Sequence, residues 1–355
     1  FIGDPLEVVA LVAINKGLDY PKVILCKYEN YSNLNVFSRT KYLLESIGVV
    51  PVATITVRLI SNRFRVSDIK TRIRNNRKIN SLDKKTLEGG LKSGKLSVCA
   101  NIFSPVWDFP FLNPVSMVRM SHSAAEDIQF WRASSRERSA LVGNFISAIQ
   151  SVVGYKRHKR KFDKYYTWIQ YSEDQRKLSL NPFIEVMNVS HADSDCDVLI
   201  LFGADNYSNE KYSEMRSVAE GHSKSLVRFL ITCRTTENIV VKIHPIVFGR
   251  LTLDQQEYLQ SKLRGVAYKL GFRKFKFLHE VLSKGLLDFP AEVQVHLISP
   301  KKIIGAYSSA LLIPSHIGES IVESDSTYNP ASRERESSEA PFLGDKIRIL
   351  TSDIK

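Results

Sequence analysis

The sequence predicts an α/β protein of two halves, the first with a largely parallel sheet and the second a Rossmann-type unit, and three observations carry that prediction. Short β-branched apolar runs alternate with amphipathic stretches through the first 190 residues, the pattern of strands wrapped by helices. The alternation pauses in a polar stretch at 171–195 and restarts cleanly at Val198, which marks a boundary near 175–195 between halves 1–190 and 191–355. A chain of 355 residues, at roughly 100–200 residues per domain, gives each half enough length to bury its own core.

In the first half, residues 8–14 (VVALVAI), 23–26 and 49–60 are rich in β-branched side chains and read as strands. Apolar spacing over 36–47 fits a helix. Residues 66–84 (VSDIKTRIRNNRKINSLDK) form a basic segment, a solvated helix plus loop. Pro105, Pro110 and Pro114 break the chain before a buried run at 115–120. Residues 138–153 place Leu141, Val142, Phe145, Ile146, Ile149, Val152 and Val153 on one helical face. In the second half, strand 198–202 (VLILF) ends at Gly203 and is followed by a helix around 209–230, strand 239–243, helix 253–270 and a short run at 275–278. Helix 290–298, strand 303–306 and a helix from Ser308 complete the pattern. Residues 315–341 are rich in Ser, Glu, Asp and Pro and read as a loop or crossover; 346–350 reads as a returning strand.

Composition bounds the function. The apolar fraction of 43% and charged fraction of 25% are those of a globular protein and exclude disorder as the main state. The 50 Lys+Arg against 37 Asp+Glu leave a net charge of +13, which favours an anionic partner. Cys26, Cys99, Cys196 and Cys233 are far apart with no CxxC pair, which argues against a zinc module or a disulfide scaffold and for a reducing, cytoplasmic compartment. No window approaches the ~18–20 apolar residues of a membrane span. The chain opens at Phe1 with no charged-then-apolar leader in view.

Three short motifs carry the chemistry. Lys242-Ile243-His244-Pro245 closes the strand IVVKI, Pro290-Ala291-Glu292 opens a helix, and Ser308-Ser309 follows the strand IIGAY at the start of another helix. In an open α/β sheet, ligands bind beyond the carboxyl ends of strands. Helix N-termini supply N–H donors and a dipole that favour anions, serine hydroxyls add donors, and a histidine nearby can protonate a departing phosphate. The set describes a metal-independent site for a phosphorylated leaving group. Gly203, with Ala204-Asp205-Asn206 after it, ends the first strand of this half and reads either as lining the same site or as a plain βα turn.

The order KxHP, then PxE, then a strand ending in SS resembles the bacterial sialyltransferases of GT-B fold, which include lipooligosaccharide sialyltransferases and polysialyltransferases. The resemblance covers about 198–314, with the motifs at 239–312. It implies a GT-B-like fold, two Rossmann-type domains facing a central cleft, with an N-terminal acceptor-binding domain and a C-terminal CMP-sugar-binding domain. It further implies that His244 contacts the donor phosphate as general acid, that Lys242 and Pro245 lie at the nucleotide, that Glu292 holds the ribose hydroxyls, and that Ser308 and Ser309 bind the phosphate. The activity implied is inverting transfer of sialic acid, or a related nonulosonic acid, from a CMP-sugar to a glycan or glycolipid hydroxyl. The donor is a substrate, and no further cofactor or metal is implied.

The family's general base is an acidic pair followed by Gly, and this chain has no such triplet. Glu126-Asp127, just after the run VSMVRMS and His122, is the nearest match and the favoured base; Glu88-Gly89-Gly90 is a second candidate in a basic region. The acids Asp193, Asp195 and Asp197 have DxD spacing, but they precede their strand and read as a polar interdomain turn. The run 155–161 (YKRHKRK), followed by Phe162, Tyr165, Tyr166 and Trp168, suits peripheral contact with an anionic inner-membrane surface, or contact with an anionic glycan, better than nucleic acid, since no nucleic-acid motif accompanies it. Two alternatives stand beside the main reading: a CMP-Kdo transferase of capsule or lipopolysaccharide synthesis, and a non-enzymatic protein that binds an anionic polymer.

Overall fold

A computed structural model describes residues 1–16, 20, 22–29, 35–58, 71, 74–75, 77–78, 97–100, 116–121, 127, 163–171, 173–190, 195–203, 215–249, 251–308, 310–311, 321–326, 336 and 347–350. The chain divides into two compact units, Phe1–Val189 and Ser190–Lys355. Both are α/β with parallel sheets.

Unit 1 opens with helix α1 (Pro5–Asn15), so the apolar run at 8–14 is helical and not the expected strand. The reason is local. Asp4 accepts the backbone N–H of Leu6 at 2.9 Å, and Glu7 accepts those of Gly3 and Asp4 at 2.6 and 3.2 Å, with Pro5 at the first helical position. This capping box starts a helix whatever the β-propensity of the residues behind it. Val8, Val9, Ala10, Leu11 and Val12 are all buried, so the helix is apolar all round and has no periodicity to distinguish it from a strand.

Strand β1 (Ile24–Tyr28) pairs in parallel with β2 (Ala53–Val57) through helix α2 (Val36–Ser46). The segment before α1 extends this layer. Ile2 donates to the Ile24 carbonyl at 3.0 Å and accepts from Cys26 at 2.6 Å, and the amine of Phe1 donates to the Cys99 carbonyl at 3.0 Å. Cys99 belongs to β3 (Ser97–Ala100), the first strand of a parallel sheet continued by β4 (Ser116–Met120), β5 (Lys164–Thr167) and β6 (Gln175–Lys177). Helix α3 (Asn181–Met187) packs with α2 against α1. The expected strand at 49–60 narrows to β2. From the basic segment 66–84, Arg74 and Lys78 bind Glu29 at 2.5 and 3.1 Å, and Asn75 bonds both backbone groups of Arg58, so part of that segment is tied down beside β2. Residues 88–90 and 138–153, and all but 163–164 of the run 155–164, lie outside the described residues.

Unit 2 holds one six-stranded parallel sheet of β7 (Val198–Leu201), β8 (Ile239–Lys242), β9 (Phe275–Phe277), β10 (Lys302–Gly305), β11 (Ile321–Ser324) and β12 (Arg348–Ile349), in the order β12-β11-β10-β7-β8-β9. The chain builds outward from β7 in one direction and then, from β10, in the other. That is the doubly wound Rossmann order, with its reversal between β7 and β10. Helices α4 (Met215–Ile231) and α6 (Leu253–Lys269) pack together. Their faces bury Leu226, Phe229, Leu259 and Leu263 with Ile200, Val241, Phe277 and Ile304 from the strands. The short α5 (Pro245–Phe248) follows β8, and α7 (Ala291–Ile298) precedes β10.

Strand β11 corrects the expectation of a loop across 315–341. Its sequence, IVES, reads as polar, yet Glu323 and Ser324 are buried. Glu323 is neutralised by Lys302 at 2.6 Å and approached by Arg348 at 3.6 Å, so a carboxylate occupies a strand position that patterning assigns to an apolar residue.

Candidate functional site

Strand register in unit 2 defines one edge. Leu201 of β7 lies opposite Lys242 of β8 and Gly305 of β10, and Gly305 lies opposite Ser324 of β11. Beyond this row the chain continues as Phe202-Gly203, Ile243-His244, Ala306-Tyr307-Ser308 and Asp325-Ser326. All leave from the carboxyl edge. Adjacent strands stand about 4.8 Å apart, so His244 and Ser308 leave from strands about 10 Å apart that flank β7 and Gly203. The β7–β10 gap is the topological switch point, where open α/β sheets form their ligand crevice.

Local structure positions each side chain. The His244 carbonyl accepts the N–H groups of Val247 and Phe248 at 2.9 and 3.3 Å, which turns the chain into α5 with Pro245 at its first position. This holds His244 half-buried at the strand end, next to half-buried Lys242. Ser308 is also half-buried, and its carbonyl accepts Leu311 N–H at 3.1 Å. Gly203 is buried; Ser309 and residues 204–206 lie outside the described residues. Glu292 sits in the first turn of α7 and is buried. That helix ends at Ile298, and a left-handed Ser299 (φ 50°) passes the chain into β10 at Lys302. Eight helical residues rise about 12 Å, roughly the length of the strand they run against, so the turn bearing Glu292 lies toward the carboxyl edge.

Sequence reasoning missed the groups that brace this edge. Ser326 Oγ accepts the Tyr307 N–H at 3.0 Å, and Asp325 N–H donates to the Gly305 carbonyl at 3.0 Å. Asp325 is in turn held by Arg228 Nε at 2.6 Å, with side-chain exposures of 3% and 13%. The end of β11 therefore fixes the turn that presents Ser308. Gly305 is required by packing, since a Cβ there would collide with the Leu201 carbonyl. Nothing in the acid- and serine-rich stretch 315–341 signals these roles, because they depend on which strand lies beside β10.

In unit 1, Asp127 is buried. Its Oδ1 accepts Arg119 Nη2 at 3.1 Å, and its Oδ2 accepts the backbone N–H groups of Trp168 and Ile169 at 2.8 and 3.2 Å. The Arg119 and Asp127 side chains are 0% and 1% exposed. A carboxylate so engaged ties β4 to the segment after β5. Glu126, the other candidate base, and His122 and Glu88 lie outside the described residues. A pocket of about 90 Å³ opens at the carboxyl end of β1, lined by Gly3, Lys27, Tyr28, Asn35, Phe37 and Ser38. Lys27 Nζ stands 5.6 Å from the Phe37 ring centre.

The acids before β7 are structural at the described positions. Asp197 accepts Asn238 N–H at 3.0 Å and Lys301 Nζ at 2.6 Å, and Asp195 accepts the Asn238 amide at 3.0 Å. The backbone N–H of Asn238, with Lys301, holds the Asp197 carboxyl below the usual aspartate range. Among the described residues, no three His, Cys, Asp or Glu side chains gather as a metal-ligand set, and no helix is long and apolar enough to cross a membrane.

No family model matches the chain, and no curated protein matches it. Among solved structures it is similar to a protein assigned as UDP-N-acetylglucosamine 2-epimerase from Listeria monocytogenes, with 9% identity, 97% of this chain and 87% of that one covered, and a TM-score of 0.47. It is similar to MnaA of S. aureus in complex with UDP, at 13% identity, 97% and 87% coverage and a TM-score of 0.44. It is also similar to CalG4, the calicheamicin glycosyltransferase, at 11% identity, 98% and 81% coverage and a TM-score of 0.43.

Proposed function

We propose that this chain is a GT-B-like glycosyltransferase that moves a nonulosonic acid of the sialic acid type from a CMP-sugar to a glycan hydroxyl. The observation that carries the reading is the common edge: Lys242, His244, Gly203 and Ser308 leave from the carboxyl ends of three adjacent strands around the switch point. In this reading unit 2 binds the donor. Ser308 and Ser309 donate hydrogen bonds to the phosphate, Glu292 accepts from the ribose hydroxyls, and Lys242 lies at the cytidine. The acceptor oxygen attacks the anomeric carbon while the bond from that carbon to the phosphate oxygen breaks, with inversion. His244 gives its proton to the departing phosphate, and a carboxylate takes the proton of the attacking hydroxyl. Because Asp127 is committed to Arg119, the base falls to Glu126. Unit 1 takes the acceptor, and the β1 pocket with Lys27 suits an anionic group on it.

The test is release of CMP from CMP-Neu5Ac and, in parallel, from CMP-Kdo. Turnover of CMP-Neu5Ac, lowered about 10²–10⁴-fold by His244→Ala in a folded protein, supports the reading. Turnover of neither donor, or an unaffected His244→Ala variant, overturns it. Turnover of CMP-Kdo alone moves the assignment to the alternative donor.

A further inference from the structure

We propose that the surface formed by the end of α6 and the edge strand β9 is a docking face for an anionic lipid bilayer. The stretch from Lys262 to Lys276 carries six cations, namely Lys262, Arg264, Lys269, Arg273, Lys274 and Lys276, and no acid. The next acid, Glu280, is bound to Arg264 at 2.7 Å. Lys269, Arg273, Lys274 and Lys276 are exposed. On β9 the alternation is strict: Phe275 and Phe277 enter the core and Lys276 faces solvent. On the β8 side the patch is bordered by Thr235, whose methyl lies 3.4 Å from where a Gly271 side chain would begin, and there the Glu237 carboxylate accepts the backbone N–H of Arg234 at 2.8 Å.

Two apolar side chains stand among these cations. Tyr268 is 38% exposed and Leu270 is 41% exposed. Gly271, at φ +91°, reverses the chain just after α6 and leaves Leu270 at the tip of the turn. The Arg273 guanidinium lies 5.8 Å from the Tyr268 ring centre. An edge strand needs lysine to prevent strand addition, which accounts for Lys276. It does not account for a tyrosine and a leucine left in water beside four cations. A bilayer surface does: aromatic side chains settle at headgroup depth, and basic side chains meet the negative leaflet. Single-stranded nucleic acid would also meet cations and an aromatic ring, but it offers nothing to the aliphatic Leu270 side chain, so lipid is the better match. The face lies beside the amino ends of the strands, and Lys242, His244 and Ser308 leave from the carboxyl edge of the same sheet, so docking keeps that edge clear.

Each basic side chain near such a surface is worth about fivefold in partition, so four together give on the order of 10²–10³. The experiment is co-sedimentation of the full chain with phosphatidylcholine vesicles and with vesicles containing about 30 mol% phosphatidylserine, at ~0.1 M salt, where the screening length is about 10 Å. The expected result is pelleting with the anionic vesicles only. Replacing Lys269, Arg273, Lys274 and Lys276 together by Gln should lower the partition at least about 100-fold. Tyr268→Ser with Leu270→Ser should lower it about tenfold at unchanged charge. All six side chains are exposed, and matching circular dichroism checks that both variants fold. Equal pelleting with neutral vesicles overturns the proposal, as does an anionic partition untouched by the fourfold variant, which would leave the charge elsewhere on the chain as its source. Binding of a single-stranded RNA oligonucleotide that the fourfold variant loses, with no vesicle pelleting, assigns the face to nucleic acid instead.

Discussion

Replacing Asp127 by Asn separates a structural carboxylate from a catalytic one. The substitution keeps size and one acceptor oxygen but removes the charge facing Arg119. The ion pair is 3.1 Å long, its side chains are 0% and 1% exposed, and the second carboxylate oxygen serves two backbone donors. Leaving one partner of a buried pair behind costs about 3–5 kcal/mol, since the guanidinium stays desolvated without its counter-charge. With a urea dependence of about 2 kcal/mol per M, that is a midpoint shift of about 1.5–2.5 M. The assay is intrinsic fluorescence, because Trp107, Trp131 and Trp168 all belong to unit 1 and the emission therefore reports that unit alone. Adding Arg119→Met to Asp127→Asn removes the stranded charge while the Asn oxygen still accepts a backbone N–H, so the double variant should recover at least half of the loss. CMP release per folded molecule should stay within about threefold of the parent, against the 10²–10⁴-fold loss expected of a general base. An unchanged midpoint together with a collapse of turnover would refute the structural reading and make Asp127 the base.

Three further outcomes follow from the same geometry. Gly305→Ala should destabilise unit 2 by about 1–3 kcal/mol and weaken CMP binding, because the new methyl meets the rigid Leu201 carbonyl; circular dichroism and CMP titration check this, and a neutral variant contradicts the packing of β7 on β10. Burial pushes Cys26 and Cys196 up to about 12 and Cys99 up to about 11, so iodoacetamide at pH 8 should label Cys26 and Cys196 about 10³-fold, and Cys99 about 10²-fold, more slowly in the native chain than in urea; rapid native labelling of any of them sinks the assignment. Asp197 has its pKa lowered by the Asn238 N–H and Lys301. Its contribution to stability is therefore present above the ordinary aspartate value near ~3.9 and is lost as pH falls through the lower native one. Asp197→Asn should cost stability at pH 7, and the difference from the parent should shrink toward zero as the pH falls below ~3.9; a gap that persists at pH 2 argues against the linkage.

Much of unit 2 could be read along the chain, and the reasons are physical. Strands 198–202, 239–243 and 303–306 are buried on both faces, so they appear as short apolar runs, and helix 253–270 begins at a Thr252–Gln255 capping box. The same rule failed at residues 8–14. A helix buried all round and a buried strand share one hydrophobic pattern, and the deciding Asp4–Glu7 cap lies in the first turn, outside the run itself. It failed again at β11, where buried Glu323 is tolerated only because Lys302, 21 residues earlier, lies on the neighbouring strand.

The +13 charge was a property of the whole chain, and only the structure distributes it. Arg74 and Lys78 are tied to Glu29, Arg119 is buried on Asp127, Arg228 is buried on Asp325 and Lys302 on Glu323, while Lys269, Arg273, Lys274 and Lys276 face solvent. By itself the sequence determined the α/β class, the restart at Val198 and the chemical types of the residues proposed for the donor site, because these follow from local pattern and short motifs. Tertiary structure decided which strands are neighbours. That choice brings Lys242, Gly203 and Ser308 to one edge, joins Asp127 to Arg119 and two backbone donors, and makes Ser326 and Arg228 the brace of a serine on another strand. Such roles depend on contacts between residues far apart in the chain, which no local pattern encodes.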